Sequence, residues 1–326
     1  MHGDPLLEVS CDTPDDVRIL RDALARIEQT EGEQATLTLD LGNAGTAVRF
    51  LTAYAAFLPG RRIVLTGSER MRHRPIAPLV TALRKAGAQI TYTEHSEAIP
   101  VSIDGVPLPK NIQPIEADGT LSTQFVSALL LAGVPVKTTT QSPYIDLTRA
   151  MIARYTLSLQ VEADWASAAF WYEYVALHGG SMLLEGLREN SLQADKEAVS
   201  VFGKMSVETQ FTQDGCVISR TDMPLPSFLQ VDFASCPDLY PAVAMTCKRL
   251  GISLEATGTE RLAYKESDRL QSVAALLTTP KGGVAQTFDD HRIAIAALAA
   301  DLRVDNTSCI HKSYPLFLQQ LCNIRV

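Results

Sequence analysis

The six cysteines (Cys11, Cys216, Cys236, Cys247, Cys309 and Cys322) and six histidines include no Cys-x-x-Cys pair, no His-Glu-x-x-His run and no Cys/His quartet. Zinc modules and metalloprotease-type helices are therefore excluded as readings, and no metal site is expected. Cysteines scattered through 326 residues suit reduced, buried thiols rather than a disulfide framework. No apolar run approaches the roughly 20 residues needed to span a bilayer. The opening Met1-His2-Gly3-Asp4-Pro5 lacks a basic-then-apolar signal, which predicts a cytoplasmic protein. Positive charge is also scarce. A net charge of −8 argues against nucleic acid or an anionic membrane as the main partner, though local arginines can still dominate one small-molecule site.

Ordinary globular composition, 46% hydrophobic and 20% charged, supports two domains with their own cores. One theme recurs. Residues 76–87 have helical apolar spacing with a glycine stop, and they lead into alternating segments at 89–92 and 100–105, a helix followed by a hairpin. Residues 197–205 repeat this, followed by 207–211, an Asp-Gly turn and 216–219. Further helices are expected at 15–28, 46–57, 121–132, 146–154, 166–176, 238–249, 266–277 and 291–301, with strands at 62–66 and 252–256. The pattern predicts an α/β chain divided into 1–161 and 162–326. The rhythm is cut short at 135–142, 156–161 and 278–287, which suggests segments missing from the chain there, because a sheet lacking strands leaves open edges.

Several segments could carry chemistry. Residues 41–49 (L-G-N-A-G-T-A-V-R) place Asn43, Gly45 and Thr46 at a helix start with Arg49 one turn on, an anion cradle or simply a capped helix. Residues 67–75 hold Arg70, Arg72 and Arg74 just before Pro75, which suits either a carboxylate or phosphate fork or a solvated basic loop. Ser122, Thr123 and Gln124 open another helix, either hydrogen-bonding a phosphate and a hydroxyl or serving as a plain N-cap. On a helix, Lys265, Glu266 and Arg269 would share one face, either two cations set around a carboxylate for an anionic ligand or a salt-bridged surface helix. Asp238, Asp290-His291-Arg292 and His311-Lys312 put more charge at element ends. Read from the residues alone, the chain performs a reaction on a multiply anionic small molecule, with Glu266 and Asp238 as candidate proton-transfer groups.

In this order, the segments resemble the motif series of the EPSP synthases (3-phosphoshikimate 1-carboxyvinyltransferases). Residues 41–49 resemble L-G-N-A-G-T-A-x-R, the most specific signature. Residues 70–83 resemble R-M-x-x-R-P-I-x-x-L-x-x-A-L, Ser122–Phe125 are similar to S-S-Q-F, and Pro143-Tyr144-Ile145-Asp146 to P-Y-I-D. Asp238, the Lys265–Arg269 run, Asp290-His291-Arg292 and Lys312 complete the series.

The resemblance implies an enolpyruvyl transferase fold, two similar domains built from repeated βαβαββ units, acting as a monomer without metal or organic cofactor. Its activity would be transfer of the enolpyruvyl group of phosphoenolpyruvate to the 5-hydroxyl of shikimate 3-phosphate. Asn43, Gly45, Thr46, Arg49, Arg74, Arg269, Arg292 and Lys312 would bind substrate together with Ser122, Thr123, Gln124 and Tyr144. Asp238, Glu266 and Lys265 would form the catalytic group.

The family's N-terminal K-S-x-S-x-R segment has no match here, so that either Met1 is an internal residue of a longer chain or the chain is truncated, and a real truncation is expected to leave little or no activity. Phe50 stands where many relatives have proline, and Thr123 replaces a serine. Two alternatives remain at this level. One is the sister transferase acting on UDP-N-acetylglucosamine, whose loop cysteine is absent from residues 67–75. The other is a non-catalytic shikimate 3-phosphate-binding remnant.

Overall fold

The computed structural model describes residues 13–30, 36–94, 97–154 and 162–324. It separates into two compact units, Met1–Thr156 and Leu157–Val326.

In the first unit the order is α1 (Asp15–Gln29), β1 (Thr36–Asp40), α2 (Gly45–Ala56), β2 (Arg62–Thr66), α3 (Glu69–Arg72), α4 (Ala77–Lys85), β3 (Gln89–Tyr92) and β4 (Val101–Asp104). There follow β5 (Ile115–Glu116), α5 (Thr123–Leu131), β6 (Val136–Lys137) and α6 (Pro143–Arg154). Strands β1 and β2 are parallel, while β4 runs antiparallel between β2 and β3, giving the sheet order β1-β2-β4-β3. This is one complete βαβαββ unit. Ile63, Leu65, Val101 and Ile103 alternate onto the sheet's covered face and pack with Leu51, Leu79 and Leu83 from the helices. The pair β5–β6 is parallel and only two residues long.

The second unit runs α7 (Trp165–His178), β7 (Ser181–Glu185), α8 (Ala198–Gly203), β8 (Val207–Phe211), β9 (Gly215–Arg220), β10 (Phe228–Asp232) and α9 (Tyr240–Leu250). It continues with β11 (Ser253–Thr257), α10 (Arg269–Thr278), β12 (Val284–Ala285), α11 (His291–Ala299), β13 (Arg303–Val304) and α12 (Phe317–Ile324). The α7-to-β9 run repeats the helix–strand–helix–hairpin theme, with sheet order β7-β9-β8, and is followed by parallel pairs β10–β11 and β12–β13. Helix α7 is buried on most of its surface and contributes Trp165, Phe170 and Tyr172, at most 1% exposed, to the core of this unit. Its start is fixed by Asp164, whose carboxylate accepts from the Ala166 and Ser167 amides.

The two expected helix–hairpin units are present, but other details differ. Strands β1, β5, β6, β7, β10, β12 and β13 are additional to those read from the sequence. The short connections expected at 135–142 and 278–287 hold the two-residue strands β6 and β12. The third such place, 156–161, lies outside the described residues. Pro75 precedes α4 by two residues rather than opening it, and the arginine run 70–72 is itself a helical turn, because Ser68 caps α3 by accepting from the Met71 amide.

Candidate active site

In the first unit the candidate residues gather at the carboxyl ends of the parallel strands β1 and β2, where an α/β sheet presents helix starts and loops to a ligand. After β1 the chain turns sharply. Asp40 accepts from the Gly42 amide, and Gly42 takes a φ of 51°, which favours glycine. The loop after β2 braces this turn. The Leu41 amide donates to Thr66, the Ser68 amide donates to Gly42, and Ser68 Oγ donates to Asn43 Oδ1 at 2.8 Å. A Cβ on Gly67 would lie 2.7 Å from the Gly42 carbonyl, so the two loops touch through glycine.

Helix α2 then begins at Gly45, with the guanidinium groups of Arg74 and Arg49 closed over it. A Cβ there would lie 2.6 Å from Arg74 Nη1 and 2.9 Å from Arg49 Nη1. Both arginines are buried, 9% and 6% exposed. Arg49 Nη1 donates to Gln124 Oε1 at 2.8 Å, and its guanidinium lies 5.5 Å from the Phe125 ring centre. Gln124 Nε2 in turn donates to Thr46 Oγ1 at 2.9 Å. One glutamine thereby ties the start of α5 to the start of α2. Ser122 and Thr123 sit at that same start of α5. Tyr144 stands in the first turn of α6, which is joined to α5 by the hydrogen bond between Ser127 and Thr148, 2.7 Å. The unit thus presents two buried arginines, two helix starts and a row of hydroxyls. That chemistry suits an anionic, hydroxylated ligand.

The second unit's candidates stand beyond the ends of β10, β11, β12 and β13. Asp238 lies in a 3₁₀ turn leading into α9. Lys265 and Glu266 precede α10, Arg292 opens α11, and Lys312 ends a 3₁₀ turn after β13. The expectation of Lys265, Glu266 and Arg269 sharing a helix face is corrected here. Asp268 caps α10 by accepting from the Leu270 and Gln271 amides, so the helix starts at Arg269, and Lys265 and Asp268 before it have extended rather than helical backbone. Lys265 and Arg269 instead converge on one oxygen, Asp238 Oδ1, at 3.1 and 2.6 Å. Arg292 holds the other, Oδ2, at 3.2 Å. Glu266 pairs with Arg269 at 2.6 Å and with Lys312 at 3.6 Å.

Arg269, 1% exposed, is also held from behind by Asp290, which accepts from its Nε at 2.8 Å and its Nη2 at 3.2 Å. Four cations surround three carboxylates and leave one net positive charge. Burial alone would push Asp238 up, but Arg292, Lys265 and Arg269 outweigh it and hold the carboxyl well below the usual range. Asp290 is likewise lowered, burial being overcome by Arg269. His291 is pushed down to about 3 by burial and by Arg292, so it adds no charge at neutral pH.

Two contributors were not singled out by the sequence, Ser68 and Ser267 (whose hydroxyl donates to Asp290 at 3.0 Å), and Asp290 was marked only as charge at a helix start, without its role behind Arg269. All lie within segments the sequence marks as charged or capped. The signal was an Asp placed just before His-Arg at a helix start. Among the described residues no group of three or more His, Cys, Asp or Glu side chains could hold a metal ion, and no helix is long and apolar enough to cross a membrane.

Such a cluster, cations of both types around two accessible carboxylates at parallel strand ends, defines a protein built to bind an anionic small molecule and move protons on it. The comparisons give the class a family. The model of the EPSP synthase family (3-phosphoshikimate 1-carboxyvinyltransferase) matches residues 17–159 and 132–321, and the chain belongs to that family. It is 31% identical to the 3-phosphoshikimate 1-carboxyvinyltransferase of Bacteroides fragilis strain YCH46 over 376 residues, covering 98% of this chain and 88% of that protein. That length exceeds the 326 residues here, so the relative carries stretches without a counterpart in this chain. The enzyme of the same name from Methanospirillum hungatei is 30% identical, covering 88% and 79%. In fold the chain is similar to a solved EPSP synthase from Acinetobacter baumannii, with a TM-score of 0.63 and 23% identity, covering 88% and 78%.

Proposed function

We propose that the chain transfers the enolpyruvyl group of phosphoenolpyruvate to the 5-hydroxyl of shikimate 3-phosphate, releasing phosphate. Family membership supports the reaction. The observation that carries the assignment of roles is the position of Asp238 and Glu266, each 2.6 Å from a different nitrogen of one buried guanidinium. Glu266 would protonate the methylene carbon of the enol ether. Asp238, kept ionised by its three cations, would accept the 5-hydroxyl proton as the oxygen attacks the cationic carbon, with Lys265 beside it at 3.1 Å. The tetrahedral adduct then returns the methyl proton to Glu266 and expels phosphate, restoring a double bond.

Arg292, Lys312 and Arg269 of the second unit would meet the negative charge of phosphoenolpyruvate, and in the first unit Asn43, Gly45, Thr46, Arg49 and Arg74 would likewise meet the negative charge of substrate. Ser122, Thr123, Gln124 and Tyr144 would meet shikimate 3-phosphate. The five cysteines among the described residues are all free thiols, which supports a reducing compartment, and we place the enzyme in the cytoplasm as a monomer.

The test is phosphate release by the purified chain. Release that needs both substrates and collapses in Glu266→Gln supports the reading. Binding of shikimate 3-phosphate without any release would instead make the chain a binding remnant.

A further inference from the structure

We infer that Asp290 is a positioning residue for both proton-transfer carboxylates, acting through Arg269. The inference rests on the function proposed above.

A guanidinium has five N–H groups. In Arg269, Nε–H and one Nη2–H are taken by the two oxygens of Asp290, at 2.8 and 3.2 Å. A second Nη2–H goes to Glu266 at 2.6 Å, and one Nη1–H goes to Asp238 at 2.6 Å. Four of the five donors are therefore engaged by carboxylates, and one remains for any incoming anion. Arg292, which lies 11% exposed beside Asp238, and Lys312, also 11% exposed beside Glu266, are better placed to take phosphate or carboxylate charge.

The fork between Asp290 and Arg269 is bidentate, and it fixes the plane of the guanidinium. That plane sets where its far edge presents Asp238 and Glu266. Asp290 is held in turn. It is fully buried and accepts from Ser267 Oγ at 3.0 Å and from the Arg292 amide at 3.0 Å, while Ser272 Oγ donates to Ser267 Oγ at 2.9 Å. Such a chain allows the two reacting carboxylates no independent movement. A supporting group that holds reactive side chains in place is worth roughly 10–100-fold in activity when removed.

The experiment compares Asp290→Asn, Arg269→Lys, the double variant and Ser267→Ala with the wild-type chain, measuring kcat, KM for each substrate and thermal unfolding. Asp290→Asn should lower kcat by about 100-fold with little change in KM for shikimate 3-phosphate. Ser267→Ala, which removes only the brace on Asp290, should lower kcat less and keep the unfolding midpoint near that of the wild type. The decisive reading is the double variant. If Asp290 acts through Arg269, it will be no slower than the slower single variant. Losses that multiply would overturn the inference. So would variants with lowered unfolding midpoints but wild-type kcat, since Asp290 would then only hold the fold. A wild-type chain that releases no phosphate would refute the proposed function itself, and the inference would fall with it.

Discussion

Gly45→Ala isolates the anion site of the first unit from its stability. Gly45 opens α2 with no positive φ, so the backbone accepts alanine, and alanine in a helix is favoured over glycine by roughly 0.5–1 kcal/mol. The conflict lies in the site alone. The new methyl would stand 2.6 Å from Arg74 Nη1 and 2.9 Å from Arg49 Nη1. With contact beginning near 3.5 Å, the first must recede by roughly 0.9 Å and the second by roughly 0.6 Å. Arg49 has little room, being bonded to Gln124 and stacked on Phe125, so most of the displacement falls on Arg74. A shift approaching 1 Å in a binding cation costs up to about 100-fold in kcat/KM. We expect kcat/KM for phosphoenolpyruvate to fall about 10- to 100-fold, equivalent to about 1.4–2.7 kcal/mol, while the thermal midpoint holds or rises. Steady-state phosphate release and a thermal melt check both. An unchanged KM for phosphoenolpyruvate would refute the reasoning, because the two guanidinium groups would then not be where the substrate's charge is met.

Other outcomes follow from buried groups. His291 is neutral in the fold, with its pKa lowered to about 3 against about 6.5 when unfolded, so the unfolded chain binds the extra proton between these values. Stability should therefore decline as pH falls from about 6.5 towards 3, and His291→Gln should flatten the part between pH 6 and 5 in urea titrations, above the range of the aspartates. Glu173, fully buried in α7, is pushed well above the normal glutamate value by burial, with Arg249 only partly offsetting it. The folded state here binds the proton more tightly, so stability falls as pH rises past about 4.5, and Glu173→Gln should gain on the wild type with increasing pH. A constant difference across pH 5–8 would contradict this. Ser68→Ala should lose about 1 kcal/mol in chemical denaturation from the α3 cap, and should also raise KM for phosphoenolpyruvate by freeing Asn43; a stability loss with unchanged KM would detach Asn43 from the ligand.

The fold was legible where local physics decides it. Periodicity located α4 and the β3–β4 hairpin, and an Asp-Gly turn marked β8–β9. Strands β7 and β10 were not read. Each is five residues long, with Leu183 and Phe228 half exposed, and β10 becomes a strand only by pairing in parallel with β11, more than twenty residues along the chain. Short parallel strands owe their existence to such distant partners, which local alternation does not report. The run at 265–269 fails for the opposite reason. A strong cap was visible in Asp268, yet helical spacing was extended through it, and the capped start places Lys265 on a different path from Arg269.

The site was legible as a set of residues and not as an arrangement. Each charged residue marks a loop after a strand, which spacing can suggest. Parallel pairing brings the loops together only two at a time, after β10–β11 and after β12–β13, and the ion pairs Arg292–Asp238 and Lys312–Glu266 join the two sets. Convergence explains why the carboxylates are needed beyond their chemistry. Lys265, Arg269, Arg292 and Lys312 could not be gathered unpaired, since like charges at such range repel strongly when shielded from water. Asp290 and the two reacting acids hold them together, with Asp290 alone fully out of solvent. An acid needed only for chemistry would be expected beside substrate; one buried at 0% exposure behind a guanidinium is there to hold charge in place. By that logic, removing Asp290's charge should disturb Asp238 and Glu266 together, whereas removing Lys312 should be felt at Glu266, with which it pairs at 3.6 Å.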